Sequence, residues 1–160
     1  MIKFAVFCLA LALAACAEPA STPQRQYNPT ITRDEYGVPS VHGRTDAEAA
    51  YGIGYAHAED NFATIQLVVL AARGKLGTHL GEQGARSDFL WHLLGVKAAV
   101  EAGYERDLSP EFREILEGYA AGLAAYGGEH PGEVLPGARN PTGLDVAAGS
   151  ALTLPLFWGF

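Results

Sequence analysis

The sequence predicts a mostly helical α+β fold, with a short β-hairpin near the start followed by a long helix and three further helices. Three observations predict it. β-Branched residues flank a Gly/Pro turn within residues 31–42, no proline occurs between residues 45 and 73, and apolar residues recur at helical spacing after residue 87. With 49% hydrophobic and 18% charged residues, the 160-residue chain can form the core of one domain.

Residues 1–15 are predicted to be a signal peptide. Lys3 supplies a positive charge, and the apolar run from Phe4 to Ala15 is shorter than the about 20 helical residues that span a bilayer. Leu13-Ala14-Ala15-Cys16 has the form of a bacterial lipobox, which predicts cleavage after Ala15 and lipidation of Cys16. An ordinary secretory signal with an incidental cysteine is the alternative.

Lipidation of Cys16 predicts a periplasmic protein anchored to the outer membrane through its lipid. Residues 16–29 contain three prolines together with Ser21 and Thr22, which predicts a flexible tether. Because Cys8 would leave with the signal peptide, the mature chain would have no free thiol and no disulfide.

The hairpin is predicted from the turn between Ile31 and Val41. Gly37 can adopt positive φ and Pro39 fixes its own φ, so we expect both to shape the turn. Arg33 and Asp34 lie beside it. They are predicted to be structural residues that tie the strand to the next helix, and a solvated surface pair is the alternative.

The long helix is predicted to run from Thr45 to Arg73. Thr45 and Glu48 have the spacing of a capping box, and Gly74 is a suitable stop. Such a helix would be about 40 Å long.

Three residues inside this helix indicate contact with another segment. Gly52 and Gly54 each cost about 1 kcal/mol relative to alanine, which favours close approach of a second backbone. Asp60 is predicted to be an inward carboxylate that accepts hydrogen bonds from a neighbouring segment, with simple exposure as the alternative.

The remaining helices follow from caps and periodicity. A turn with a short helical piece is predicted at residues 76–80, because glycines interrupt the pattern there. Ser87 or Asp88 is predicted to cap a second helix ending near Gly103. Its apolar face would comprise Phe89, Leu90, Leu93, Leu94, Val96 and Val100.

Ser109 as cap and Pro110 as first residue predict the third helix, which would end at the glycine pair 127–128. A loop rich in glycine and proline follows. The last helix would begin at Thr142 or Asp145 and be disturbed near Ala151 by Pro155.

The sequence does not point to a self-contained catalytic site. It has no Gly-x-Ser-x-Gly motif, and its five histidines lack the spacing of a metal site, so we predict no catalytic residue and no metal ligand in this chain. Ser150 follows a glycine but lies inside a predicted helix. A net charge of −7 without a basic stripe argues against binding nucleic acid.

Five motifs, in order, carry a resemblance to a known family. They are Arg33-Asp34 with Gly37-Val38-Pro39, the block from Gly52 to Asn61, Arg73-Gly74-Lys75-Leu76 with Leu80-Gly81, Asp88, and Leu116 to Tyr126. Together they resemble the penicillin acylases, which are N-terminal-nucleophile amidohydrolases. The likeness covers residues 27–160, and the loop at residues 131–137 is most similar to the branch that acts on long-chain acyl amides.

The resemblance implies that residues 30–160 are an α-subunit region, incomplete without a β-subunit cut from the same precursor. The two chains would fold together around an αββα sandwich, and the β-subunit would begin with a serine whose α-amine acts as the base. Calcium would belong to the full heterodimer. This chain would be inactive alone, and it departs from the family pattern at Ser40 and His57, where histidine and glutamine are usual.

The implied substrate is a small N-acyl compound such as a β-lactam antibiotic, an acyl-homoserine lactone or a lipopeptide. Leu154, Phe157 and Trp158 are predicted to line its acyl pocket, with core packing against the β-subunit as the alternative. Two other classes remain open. One is a non-catalytic helical envelope lipoprotein acting as a binding or scaffold module, and the other is a metal-dependent hydrolase.

Overall fold

A computed structural model of the protein describes residues 26–158, with side chains up to residue 151. It confirms the α+β prediction of a hairpin followed by helices. The predicted signal peptide and Cys16 lie outside the described residues. The elements are β1 (Thr30–Arg33), β2 (Pro39–His42), α1 (Asp46–Ala72), α2 (Gly77–Leu80), α3 (Glu82–Leu93), α4 (Val96–Asp107), α5 (Pro110–Glu129), a 3-10 turn (Pro131–Glu133) and α6 (Gly143–Trp158).

None of the helices within residues 26–158 is long and apolar enough to cross a bilayer.

The hairpin forms as the turn residues predict. Strands β1 and β2 are antiparallel, with Thr30 opposite His42 and Arg33 opposite Pro39. Gly37 has φ of 83°, a region that favours glycine.

The start of α1 is capped by Thr45, whose hydroxyl accepts a hydrogen bond from the Glu48 N–H at 3.2 Å. The second half of the predicted capping box differs. The buried Glu48 carboxylate accepts from the Arg44 N–H at 2.6 Å and the Asn28 N–H at 2.9 Å, and it also pairs with the Arg44 guanidinium. Glu48 therefore fixes the segment that enters the hairpin to the first turn of α1.

This bonding predicts a pH-dependent effect of Glu48→Gln. Hydrogen bonds from the Arg44 side chain and from the Arg44 and Asn28 backbones lower the pKa of Glu48 from 4.5 to about 2. A lowered pKa stabilises the fold above pH 4.5, and this contribution is lost as the pH falls towards 2. We expect the wild type to have the higher urea midpoint at neutral pH and the gap to close across that window. A gap that stays constant would contradict the assignment.

The predicted long helix is confirmed as α1, but it contains a kink that was not predicted. Asn61 has φ of −154° and ψ of 42°, which divides α1 into two segments at a kink. The kink follows Glu59 and Asp60, which are bound by a residue of the hairpin. Local sequence shows no proline at this point, so only the tertiary contacts reveal the break.

Helices α1 and α5 form the centre of the fold through close backbone contact. A Cβ on Gly122 would overlap the Tyr51 carbonyl oxygen and lie 2.7 Å from the Tyr55 nitrogen. Gly54 and Gly118 likewise lie against backbone carbonyls of the opposite helix. This confirms the close backbone approach predicted at Gly54, whereas Gly52 lies against the side chains of Val41 and Pro29 and not against a second backbone.

The predicted second helix is two helices, because Gly95 adopts φ of 64° between α3 and α4. Asp88 lies inside α3 and does not cap it. Its carboxylate accepts from the Leu76 and Gly77 N–H groups at 2.9 and 2.8 Å, at the start of α2. Helix α3 packs through Trp91, which is 1% exposed.

The last helix starts where predicted. Its first turn is capped by Thr142, whose hydroxyl accepts from the Asp145 N–H at 3.3 Å, while Asp145 accepts from the Thr142 N–H at 2.8 Å. The interruption predicted near Ala151 is not observed, because α6 continues through Pro155 to Trp158.

Candidate functional site

Arg33 connects the hairpin to the middle of α1. Its guanidinium donates to the Glu59 carboxylate at 2.9 Å, contacts the Asp60 carboxylate at 3.0 Å, and donates to the Gly37 carbonyl at 2.7 Å. A fourth bond reaches the Ala56 carbonyl at 3.3 Å. The two carboxylates raise the pKa of Arg33. The cation therefore stays charged and holds the turn against α1 immediately before the kink.

The other predicted structural residues lie at the same turn. Unlike Arg33, Asp34 forms no described hydrogen bond to α1. Its carboxylate accepts from the Tyr36 and Val38 N–H groups, both at 2.9 Å, and so organises the turn itself. Pro39 begins β2 opposite Arg33. The Asp60 side chain receives Arg33 but is 51% exposed, so it lies at the surface of the fold.

Arg73, at the end of α1, holds the beginning of α6. Its Nε and Nη2 donate to the two carboxylate oxygens of Asp145 at 2.9 and 2.7 Å. The same guanidinium donates to the carbonyls of Gly137, Arg139 and Asn140 at 2.6, 3.0 and 3.1 Å. All five N–H donors are used. Burial alone would raise the pKa of Asp145, but the bonds from Arg73 and Thr142 hold it below its usual value.

The helices positioned in this way enclose an apolar groove, which we call the α1–α5–α6 groove. It has a volume of about 350 Å³. Apolar side chains dominate its walls, with His57 and Tyr119 at one end. The lining residues are His57, Ile65, Val68, Val69, Tyr119, Leu123, Asp145, Val146, Gly149 and Ser150. Concave sites that are mostly apolar with a few polar groups are typical of small-molecule binding.

The polar end of the groove is fixed by one hydrogen bond. His57 Nδ1 and the Tyr119 hydroxyl are 2.7 Å apart. Burial raises the pKa of Tyr119, so the phenol stays protonated at neutral pH. The groove therefore offers a neutral phenol and an imidazole beside an apolar channel.

A second hollow lies on the other side of the same wall. It has a volume of about 240 Å³ between α1, α5 and the loop after α5, and it shares Ile65, Val69 and Leu123 with the groove. Gln66 closes the loop side, since its amide donates to the Glu133 carbonyl at 3.1 Å and accepts from the Leu135 N–H at 2.6 Å.

The groove holds no assembled nucleophile among its described side chains. Ser150 lies within α6, where its hydroxyl donates to the Val146 carbonyl at 3.0 Å. The part of the chain that the structure describes also contains no group of three or more metal-ligating side chains. The apolar walls with two polar groups at one end are suited to holding an apolar group.

The predicted acyl-pocket residues Leu154, Phe157 and Trp158 belong to α6, which carries Val146 and Ser150 into the groove. Their side chains lie outside the described residues, and their role stays a prediction. Sequence reasoning missed the groove residues themselves. Of the lining residues, His57, Asp145 and Ser150 were named from the sequence, and none of them was assigned to a pocket.

The arrangement of hairpin and helices matches a solved structure, thermostable penicillin G acylase from Alcaligenes faecalis in its tetragonal form. The TM-score is 0.69 at 21% identity, over 84% of this chain and 76% of that one. The two chains therefore share this fold of a short hairpin followed by helices. The chain belongs to the penicillin amidase family, whose model matches residues 28–151.

Curated relatives agree with this assignment. Acyl-homoserine lactone acylase PvdQ of Pseudomonas fluorescens (strain Pf0-1) is 29% identical over 125 residues, which are 73% of this chain and 16% of that protein. Penicillin acylase 2 proenzyme of Pseudomonas sp. (strain SE83) is 29% identical over 60% of this chain, which corresponds to 12% of the length of the proenzyme. Acyl-homoserine lactone acylase QuiP of Pseudomonas aeruginosa is 30% identical over 62% of this chain, which corresponds to 12% of the length of QuiP. The chain thus spans less than a fifth of these relatives.

Proposed function

We propose that this chain is the α-subunit region of a precursor whose β-subunit completes an amidohydrolase acting on N-acyl compounds. The observation that carries the proposal is the α1–α5–α6 groove, an apolar channel in a chain of the penicillin amidase family. The members of this family are heterodimers of α- and β-subunits. Because the chain spans only 12–16% of its curated relatives, the catalytic serine belongs to the remaining polypeptide in this proposal.

The groove would hold the acyl part of the substrate. Val68 and Val146 form apolar wall, and Leu154 and Phe157 follow Val146 along α6 at positions i+8 and i+11. Burial of an acyl chain there would contribute about 0.8 kcal/mol per methylene. The names of the relatives include acyl-homoserine lactones and penicillin, both of which are N-acyl amides. We therefore propose linear N-acyl amides with an apolar acyl group as the substrate class.

The chemistry would follow from the partner. A serine at the start of the β-subunit can use its own α-amine as base, since a free amine has a pKa near 8 and is partly neutral at working pH. Attack would form an acyl ester and release the amine, and water would then release the acid. The proposed role of this chain is to position the acyl group for attack. Arg33 and Arg73 would contribute by keeping the helices that line the groove in place.

We also propose that the mature chain is held at the outer membrane, facing the periplasm, through lipid on Cys16. The lipobox motif supports this proposal. Cys16→Ser should abolish incorporation of labelled palmitate and release the protein into the soluble periplasmic fraction. Labelling that persists in the variant would contradict it.

The function is tested with the full precursor, matured and purified, and a homologous series of N-acyl amides. We expect hydrolysis by the two-chain product, with kcat/KM rising with acyl length. Failure to hydrolyse any member would contradict the proposal and favour the scaffold lipoprotein.

A groove-filling substitution, Val68→Phe, should shorten the preferred acyl chain. Val68 is 44% exposed and lines the groove, so the larger ring would occupy space meant for the acyl tail. We expect kcat/KM for long acyl chains to fall about fourfold for each methylene displaced, with short chains unaffected. Ile53→Phe is the matched control, since Ile53 is 51% exposed on the same helix but lines no part of the groove. Equal effects of the two substitutions on kcat/KM would contradict the proposal that the groove binds the acyl chain.

A further inference from the structure

Helix α3 carries an apolar surface, the α3 patch, formed by Phe89, Leu90, Leu93 and Leu94. Their exposed fractions are 64%, 55%, 67% and 69%. Positions i, i+1, i+4 and i+5 of a helix share one side, so the four side chains form one stripe. The sequence predicted these residues to belong to the apolar face of a helix, and within residues 26–158 they are exposed.

The opposite side of α3 is packed against the fold. Trp91 is 1% exposed and forms a core cluster with Ala72 and Ala148. Helix α3 thus packs against the fold through the side that carries Trp91, and the patch lies on its exposed side. Exposed apolar patches on soluble proteins are rarely larger than a few hundred Å², and larger ones mark interaction sites.

The physical features of the patch discriminate among the possible occupants. A lipid surface is disfavoured, because membrane-surface helices carry Lys and Arg on their polar face, whereas α3 has a single Arg86 paired with Glu82. A second copy is disfavoured because four side chains from each copy fall short of the about 800 Å² per partner in a standard interface. A large partner that covers neighbouring elements as well fits better.

The length of the relatives indicates which partner this is. The chain spans 16% of PvdQ and 12% of the penicillin acylase 2 proenzyme, so most of such a precursor lies outside it. Trp91 of α3 packs against Ala148 of α6, the helix whose later residues are proposed to form acyl-pocket wall. A partner that completes the pocket at α6 would therefore lie close to α3.

We propose that the α3 patch is a docking surface for the β-subunit of the same precursor. This inference rests on the proposed function and adds the surface through which the two chains associate. Burying each of these side chains contributes by removing apolar area from water. Charged substitutions in the patch therefore weaken the association of the two chains, whereas a charged substitution at an exposed apolar position away from it, such as Phe112, does not.

Photocrosslinking in the matured full precursor tests the contact directly. Benzoylphenylalanine is placed at position 93 and, as control, at position 105, where the Glu105 side chain is 85% exposed. We expect a crosslink from position 93 to the β-subunit, in yield about tenfold or more above that from position 105. A crosslink to a second copy of this chain, to lipid, or in no greater yield than the control overturns the inference.

Association is measured with a second variant. In Leu90→Glu/Leu93→Glu, recovery of the β-subunit with an affinity-tagged chain should fall about tenfold or more, while Phe112→Glu, at a 47% exposed position outside the patch, should leave recovery unchanged. If wild-type precursor yields two chains and active enzyme but either patch test fails, only this inference falls. If wild-type precursor yields no second chain and no amidase activity, the proposed function falls.

Discussion

Gly122→Ala should destabilise the protein by about 3 kcal/mol or more. The added methyl group would overlap the Tyr51 carbonyl oxygen and lie 2.7 Å from the Tyr55 nitrogen. Both are backbone atoms of α1, so no side chain can rotate to make room. The two helices would have to separate along the contact that also carries Gly54 and Gly118, and the groove between them would change shape.

Gly128→Ala is the matched control on the same helix. Apart from its chain neighbours and the adjacent backbone of α5, no described heavy atom lies within 4 Å of a Cβ built at Gly128. Alanine restricts the unfolded chain more than glycine does, so we expect a gain of about 0.4–1 kcal/mol. Urea unfolding of the matured protein measures both variants. Equal stability of the two would show that α1 and α5 do not make the close contact described here.

Arg73→Ala should cost about 3–5 kcal/mol, because it leaves the Asp145 carboxylate buried without its cation. The Asp145 side chain is 12% exposed, and the three carbonyls from the loop before α6 lose their donors as well. The start of α6 would no longer be fixed to the end of α1. We expect a lower urea midpoint, together with a raised KM for acyl substrates as the groove loosens.

Two further variants separate geometry from charge. Arg73→Lys keeps the positive charge but cannot make the two-pronged bond to Asp145, so its stability should lie between wild type and Arg73→Ala. Arg86→Ala breaks an exposed pair with Glu82, 78% and 82% exposed, and should change stability by less than about 0.5 kcal/mol. If Arg73→Ala lowers stability no more than Arg86→Ala does, the bonds of Arg73 to Asp145 do not fix the start of α6.

Local chemistry was sufficient for the hairpin and the caps. A hydroxyl that accepts an N–H three residues later is a short-range signal, and Thr45 and Ser109 both use it as predicted. Gly37 was recognised because few other residues adopt its φ. Helices α1 and α5 therefore begin where local sequence predicts, whereas α2, α3 and α4 begin without a side-chain cap.

Features that depend on distant residues were not predictable. The Asp88 carboxylate can accept backbone hydrogen bonds as a cap does. It accepts from the N–H of Gly77 at the start of α2, 11 residues earlier in the chain, and does not cap its own helix. The kink at Asn61 and the pair of Arg73 with Asp145, 72 residues apart, have no local signature. The α3 patch was predicted as part of an apolar helix face, but apolar periodicity does not indicate what, if anything, packs against that face.

The proposed function requires that this chain be active only together with a β-subunit. Its most direct test is a titration: the mature chain and a separately produced β-subunit are mixed in increasing ratio, and hydrolysis of an N-acyl amide is followed. We predict no activity from this chain alone, activity that rises on mixing, and saturation at one chain per β-subunit. Amide hydrolysis by this chain alone, or activity of the β-subunit that does not depend on it, would contradict the account.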